Sequence, residues 1–166
     1  HLKEQHRVQI KGYRCYRDDG GVGTAIFVKD RYRSHQQHTD LANVDSCAVQ
    51  LKTGDTKWTF LSLYIPCGST GPSIRPGLSE LNETEKIIIG GDFNARHVLW
   101  CTDTNTTGAA LKRWLDEPDT NLVLVSPDKP TYNNSKLDHF LVQADDRPPH
   151  SRTPLVTQSF ADHDAI

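Results

Sequence analysis

Residues 57–65 (KWTFLSLYI) constrain the fold more than any other segment of this chain. They alternate, yet both faces carry apolar groups: Leu61, Leu63 and Ile65 point one way, and Trp58, Phe60, Ser62 and Tyr64 the other. A strand apolar on both faces belongs in the interior of a packed sheet. Residues 86–91 (KIIIGG) repeat the message as a continuous β-branched run, the signature of a fully buried strand. Further short apolar runs at 21–29, 44–52, 121–125, 136–142 and 155–160 are separated by Gly, Pro, Asn and Asp. The chain therefore reads as many strands with few helices. The best helical pattern is 108–116, where Thr107 can cap, Ala110, Leu111, Trp114 and Leu115 form one stripe, and Pro118 stops the helix. A weaker helix fits 78–82, and 143–154 reads as a polar loop. The pattern is α+β with packed sheets. Purely parallel α/β fits less well, because several connections are too short for crossover helices.

Composition narrows the function classes. Lys plus Arg total 19 against 21 Asp plus Glu, a net charge of −2. That excludes a polybasic nucleic-acid tail but not a protein that grips DNA in a local groove. No apolar run approaches membrane-spanning length. The 166 residues suffice for one domain, 1–166, with its own core. With no Met and a start at His1, the chain reads as a fragment, a processed product or an excised domain. Cys15, Cys47, Cys67 and Cys101 lack the close spacing of a zinc or redox motif and are expected to be reduced, partly buried thiols in an intracellular protein. Asn-x-Ser/Thr sequons begin at Asn82, Asn105 and Asn133 and would matter only after secretion.

Polar residues gather at strand ends. In residues 90–97 (GGDFNARH) a buried strand runs into two glycines and delivers Asp92 and Asn94. Two apart in extended backbone, they face the same way. A carboxylate beside a carboxamide can hold an attacking water or a metal-bound phosphate. An Asx-rich turn, with both side chains capping backbone amides, is the equal competitor. Asp138 shares a strand face with Phe140 and Val142 and needs a partner, either a Lys or Arg or a histidine that it orients. Asp162-His163-Asp164 flanks an imidazole with carboxylates, which tends to raise its pKa and fix its tautomer; alone, the triplet reads as a surface loop. Together the three clusters suggest a phosphodiesterase site in which oxygen ligands favour Mg²⁺ over Zn²⁺. The pair His35 and His38 reads as solvated loop, and Lys29, Arg31 and Arg33 as a solvated strand end. Trp58, Trp100 and Trp114 read as core.

The segment GGDFNARHVLW (90–100) resembles the central motif of the exonuclease–endonuclease–phosphatase superfamily, and more narrowly the jockey-like endonuclease domain of non-LTR retrotransposons. In the same order, DDGGVGTAIFVK (18–29), SLYIPCGS (62–69), SKLDHFLV (135–142) and SFADHDAI (159–166) resemble its remaining motifs. The resemblance implies a four-layer α/β sandwich, two mixed sheets packed face to face with helices outside. It implies Mg²⁺-dependent cleavage of DNA, with Mn²⁺ as the other candidate metal. The roles it implies are Asp92 for the water, Asn94 and Tyr64 beside the phosphate, Asp138 paired with the catalytic His163, and Asp162 near the metal. A Glu ligand and an Asn are expected upstream of His1, and a further strand beyond Ile166. Cys67 and Ala161 depart from the family's Pro and Ser. The implied partners are DNA and a reverse-transcriptase domain of the same polyprotein, with no membrane. A monomeric domain acting in the nucleus is expected. Competing readings are an abasic-site or secreted DNase-like nuclease, and a catalytically inactive remnant that binds DNA weakly.

Overall fold

The computed structural model describes residues 9–18, 23–37, 44–68 and 86–146. They form the strands β1 (Tyr13–Asp18), β2 (Thr24–Lys29), β3 (Ser34–Gln37), β4 (Asp45–Thr53), β5 (Thr56–Tyr64), β6 (Lys86–Asp92), β7 (Leu122–Val125) and β8 (Asp138–Gln143). One α-helix, α1 (Thr106–Leu115), precedes β7, and a 3-10 turn (Ala144–Asp146) follows β8. The strands make a two-stranded sheet, β1-β2, and a six-stranded sheet in the order β3-β4-β5-β6-β8-β7. The described residues fall into two compact units. One holds β1 to β5 and the start of β6, and the other holds 65–68 and 90–146.

In the first unit, β1 and β2 form an antiparallel hairpin in which Tyr13 faces Lys29 and Asp18 faces Thr24. The hairpin lies over β4. Val28, Cys47 and Val49 are buried between them, with Tyr16, Ile26, Tyr32 and Leu51 packed around. This is the face-to-face sheet packing expected from the sequence. The interior pushes the Cys47 thiol up to about 11, because burial disfavours the thiolate. β4 and β5 pair antiparallel from Asp45 opposite Tyr64 to Thr53 opposite Thr56. On β5 the face carrying Thr59 and Leu61 is fully buried, and so are Leu63 and, one residue past the strand, Ile65. The opposite face, with Trp58, Phe60, Ser62 and Tyr64, is half-buried. Each buried leucine contributes roughly 1.5–3 kcal/mol.

Two strands were invisible to periodicity. β1 mixes Arg and Asp with Tyr and Cys. β3 (SHQQ) has no apolar residue and corrects the reading of His35 as loop. Backbone pairing with β4 makes β3, and the Tyr16 hydroxyl donates to the Ser34 carbonyl at 2.8 Å. The basic residues Lys29, Arg31 and Arg33 are exposed, with the Arg31 guanidinium over the Tyr32 ring.

In the second unit β7 and β8 are antiparallel, from Leu122 opposite Gln143 to Val125 opposite Phe140. β8 turns His139 and Leu141 inward and leaves Asp138, Phe140 and Val142 half-buried. β6 is less buried than its sequence suggests: of its three isoleucines only Ile89 is fully enclosed. β-branched residues are chosen for the pleated surface as well as for burial, so such a run overstates enclosure. α1 starts earlier than its apolar stripe. Its cap is Asn105, and Thr107 is a buried helical residue. Lys112 and Arg113 occupy the last turn, where cations suit the helix dipole, and Lys112 pairs with Asp116.

None of the four cysteines forms a disulfide. Among the described residues no helix is long and apolar enough to cross a membrane. The helix expected at 78–82 and the strand at 155–160 lie outside the described residues.

Candidate active site

β6 ends by delivering Asp92. Gly91 before it has φ +149°, a backbone that side chains rarely tolerate, so the second glycine of the pair allows the strand its exit. The Asp92 carbonyl accepts from the Ile65 amide at 2.9 Å, and the Phe93 amide donates to the Leu137 carbonyl at 2.9 Å. Asp92 precedes Phe93 and Asp138 follows Leu137. The two carboxylate residues therefore flank one backbone hydrogen bond.

Asn94 is reached by a turn, not by the extended pleat expected from the sequence. Its φ is +46°, and Phe93 between it and Asp92 is fully buried. The Asn94 amide nitrogen donates to Asp92 Oδ1 at 2.8 Å, while Nδ2 donates to Asp92 Oδ2 at 3.2 Å and to the Ile65 carbonyl at 2.9 Å. Oδ1 accepts from the Cys67 thiol at 3.0 Å. Turning the carboxamide over would set its oxygen against two acceptors, so the partners fix its orientation. Both readings left open by the sequence hold at once: the pair is an Asx-type turn, and it sets a carboxylate beside a carboxamide.

The loop after Asn94 is held from several sides. Asn105 Nδ2 donates to the Asn94 carbonyl at 2.8 Å. Asn105 Oδ1 accepts from the Arg96 amide at 3.0 Å and from the Gly108 amide at 2.8 Å. The Asn105 amide donates to the Arg96 carbonyl at 3.0 Å. This approach is so close that a Cβ on Gly108 would lie 1.8 Å from the Arg96 oxygen. Near Asp138, Thr131 Oγ1 accepts from the Leu137 amide at 3.2 Å and the Asp138 amide at 3.3 Å. The sequence flagged Asn105 only as a sequon. Its signal as a cap was its place three residues before Gly108, whose amide it accepts.

Behind the loop lies an aromatic cluster: Trp100, expected in the core, packs there with Phe93 and with His139, to which the sequence assigned no place. His139 is fully buried, with the Phe93 ring 6.0 Å away and Trp100 edge-on at 5.8 Å. Trp100 Nε1 donates to the Ala95 carbonyl at 2.8 Å. Burial pushes His139 down to about 4, against smaller opposing pulls from the Ala95 backbone and the Asp138 carboxylate. Neither ring nitrogen has a hydrogen bond of ordinary geometry. His139 is thus a neutral, structural imidazole at pH 7.

Of the residues singled out from sequence, Asp92, Asn94 and Asp138 come together in the second unit. Tyr64 is the half-buried last residue of β5. Asp162 and His163 lie outside the described residues. Among the described residues, no group of three or more His, Cys, Asp or Glu could hold a metal ion.

Residues 58–166, which include every one of these positions, match the endonuclease–reverse transcriptase family. The chain belongs to that family. Its activity is accordingly that of an endonuclease, a phosphodiester-cleaving enzyme. The endonuclease domain of TRAS1, a telomere-specific non-LTR retrotransposon, superimposes with a TM-score of 0.73 at 21% identity, covering 93% of this chain and 78% of that one. A D. rerio TDP2 humanized by 14 mutations superimposes with a TM-score of 0.56 at 14% identity, covering 83% of this chain and 64% of that one. No curated protein matches the chain. These likenesses establish the α+β, DNase-I-like fold, and the family match together with the TRAS1 domain bears out the resemblance to retrotransposon endonuclease domains.

Proposed function

We propose that this endonuclease cleaves DNA with Mg²⁺ (or Mn²⁺), as a single domain over residues 1–166. The nick would supply a 3′-hydroxyl for a reverse-transcriptase domain of the same polyprotein, acting in the nucleus. The observation that carries the reading is the Asp92–Asn94 turn at the end of β6, held one backbone hydrogen bond away from Asp138.

In this reading Asp92 orients the attacking water. Asn94 contacts the phosphate, with Tyr64 beside it. Giving up its 3.2 Å bond to Asp92 Oδ2 would free one Nδ2 proton for a phosphate oxygen while the bond to Ile65 keeps the group in place. Asp138 pairs with His163, the acid–base group. Carboxylates are hard oxygen donors, chemistry that fits Mg²⁺ rather than Zn²⁺. Asp162 would hold the ion, with Asp92 reaching it through water. A bound divalent ion supplies charge stabilisation at the phosphate.

The test is nicking of supercoiled plasmid by the native endonuclease, with Mg²⁺ or with EDTA, beside His163→Ala and Asp92→Asn. Open circles should form only with the metal and the unaltered residues. Equal nicking by wild type and His163→Ala would overturn the reading.

A further inference from the structure

We infer that Asn105 is a positioning residue of the nuclease site: its side-chain amide holds the Asn94–Arg96 backbone against the start of α1 and so fixes Asn94 beside Asp92. The inference rests on the nuclease reading of Asp92 and Asn94.

Asn94 stands at φ +46°, a left-handed conformation that non-glycine residues keep only where their surroundings impose it. The Asp92 carboxylate restrains Asn94 at its amide, and Ile65 and Cys67 restrain its side chain. The peptide leaving Asn94 has a different anchor, Asn105 Nδ2 on the Asn94 carbonyl at 2.8 Å. The same side chain uses its oxygen twice, on the Arg96 amide and on the Gly108 amide that opens α1. Its own amide completes the clamp on the Arg96 carbonyl.

Among the good N-cap residues Asn carries its acceptor and its donor on two separate atoms, so Oδ1 can serve the helix while Nδ2 reaches the Asn94 carbonyl. Asp and Ser serve equally well as caps, but Asp has no donor and Ser has a single short hydroxyl in place of the amide. In Asn105→Asp a carboxylate oxygen would face the Asn94 carbonyl and repel it. Capping and positioning can therefore be separated by substitution.

The experiment compares wild type, Asn105→Asp, Asn105→Ser and Asn105→Ala in the native endonuclease. It measures steady-state nicking with Mg²⁺ and amide hydrogen exchange. Misplacing a reacting group by about 1 Å can cost on the order of 100-fold in rate, so kcat should fall about 10- to 100-fold in Asn105→Asp and Asn105→Ser, with KM little changed. Exchange at the Asn94 and Arg96 amides should quicken in both, while the amides of α1 stay protected. In Asn105→Ala the helix amides should lose protection as well.

Wild-type kcat in both capping variants would overturn the inference. So would a fall in kcat that simply tracks lost protection in α1, since that assigns Asn105 to helix capping alone. Unchanged exchange at Asn94 and Arg96 would overturn it whatever the nicking shows. If the wild type fails to nick DNA while the exchange pattern holds, the clamp is supported and it is the DNA-nicking reading that fails.

Discussion

Gly108→Ala is a sharp test of how this site is built, because two effects of opposite sign compete at one residue. In an exposed helix, replacing Gly by Ala stabilises by roughly 0.5–1 kcal/mol, through the lost freedom of the unfolded chain. Here the new Cβ would lie 1.8 Å from the Arg96 oxygen and 2.4 Å from its carbonyl carbon, where ordinary contact begins at 3.4 Å. The obstacle is backbone, not a side chain that can swing away. The loop must retreat by about 1.6 Å, the gap between those two figures. Overpacking of this kind costs about 1–3 kcal/mol. The retreat also breaks the two 3.0 Å bonds between Asn105 and Arg96. Each such bond is worth about 1 kcal/mol. Steric conflict wins, and the net loss should be about 2–4 kcal/mol. At about 2–4 °C per kcal/mol, Tm should fall by roughly 5–15 °C. Urea titration of wild type, Gly108→Ala, Asn105→Ala and the double variant checks this. Both single changes sever the same clamp, so the double should cost clearly less than their sum. A Gly108→Ala protein as stable as wild type, or strict additivity in the cycle, would refute the close approach.

His139 makes the unit acid-sensitive. Its folded pKa of about 4 lies below its ordinary 6.5, so its contribution is complete above pH 6.5 and is lost as pH falls toward 4. The loss is about 3 kcal/mol, and the stability difference between wild type and His139→Phe, measured by urea unfolding, should shift against wild type by that amount across the window. Leu141→Ala, at a fully buried position of β8, should cost about 2–5 kcal/mol in the same assay. Asp138→Asn should cut plasmid nicking sharply while leaving the urea midpoint nearly unchanged; undiminished cleavage would remove Asp138 from the mechanism. Expressed through a secretory pathway, the chain should carry a glycan at exposed Asn133 and none at Asn105, whose Nδ2 is held by the Asn94 carbonyl. Glycopeptide mass spectrometry reads both sites.

Much of the fold was legible because burial writes a period of two into strands. The alternation on β5 and the apolar runs of β4, β7 and β8 located those strands to within a residue or two. What escaped obeys other physics. β3 exists because β4 offers an edge to pair with, and no side chain of SHQQ announces that. β1 covers the core with Tyr16, whose hydroxyl needs a partner at Ser34, so its residues look polar in the sequence while sitting half inside. The helix start was misplaced because Thr107 and Asn105 are both good caps, and only the tertiary contact to Arg96 chooses between them.

The candidate site was legible by residue type and illegible as geometry. Gly-Gly-Asp-x-Asn named the residues, but a period-two reading put Asp92 and Asn94 on one extended face. The chain instead turns at Asn94, and Phe93 goes into the core between them. That choice has a reason in the packing. Phe93 buries its ring against His139, and His139 sits against Trp100, whose indole nitrogen holds the Ala95 carbonyl. A straight continuation of β6 would keep the extended alternation and lose this turn. The aromatic cluster therefore favours the turn, and the turn brings the carboxamide onto the carboxylate. A motif search sees Asp92 and Asn94 because a carboxylate and a carboxamide at that spacing suggest phosphodiesterase chemistry. It assigns no role to His139, Trp100 and Asn105, whose packing and hydrogen bonds help to decide where the loop between Asn94 and Arg96 can lie.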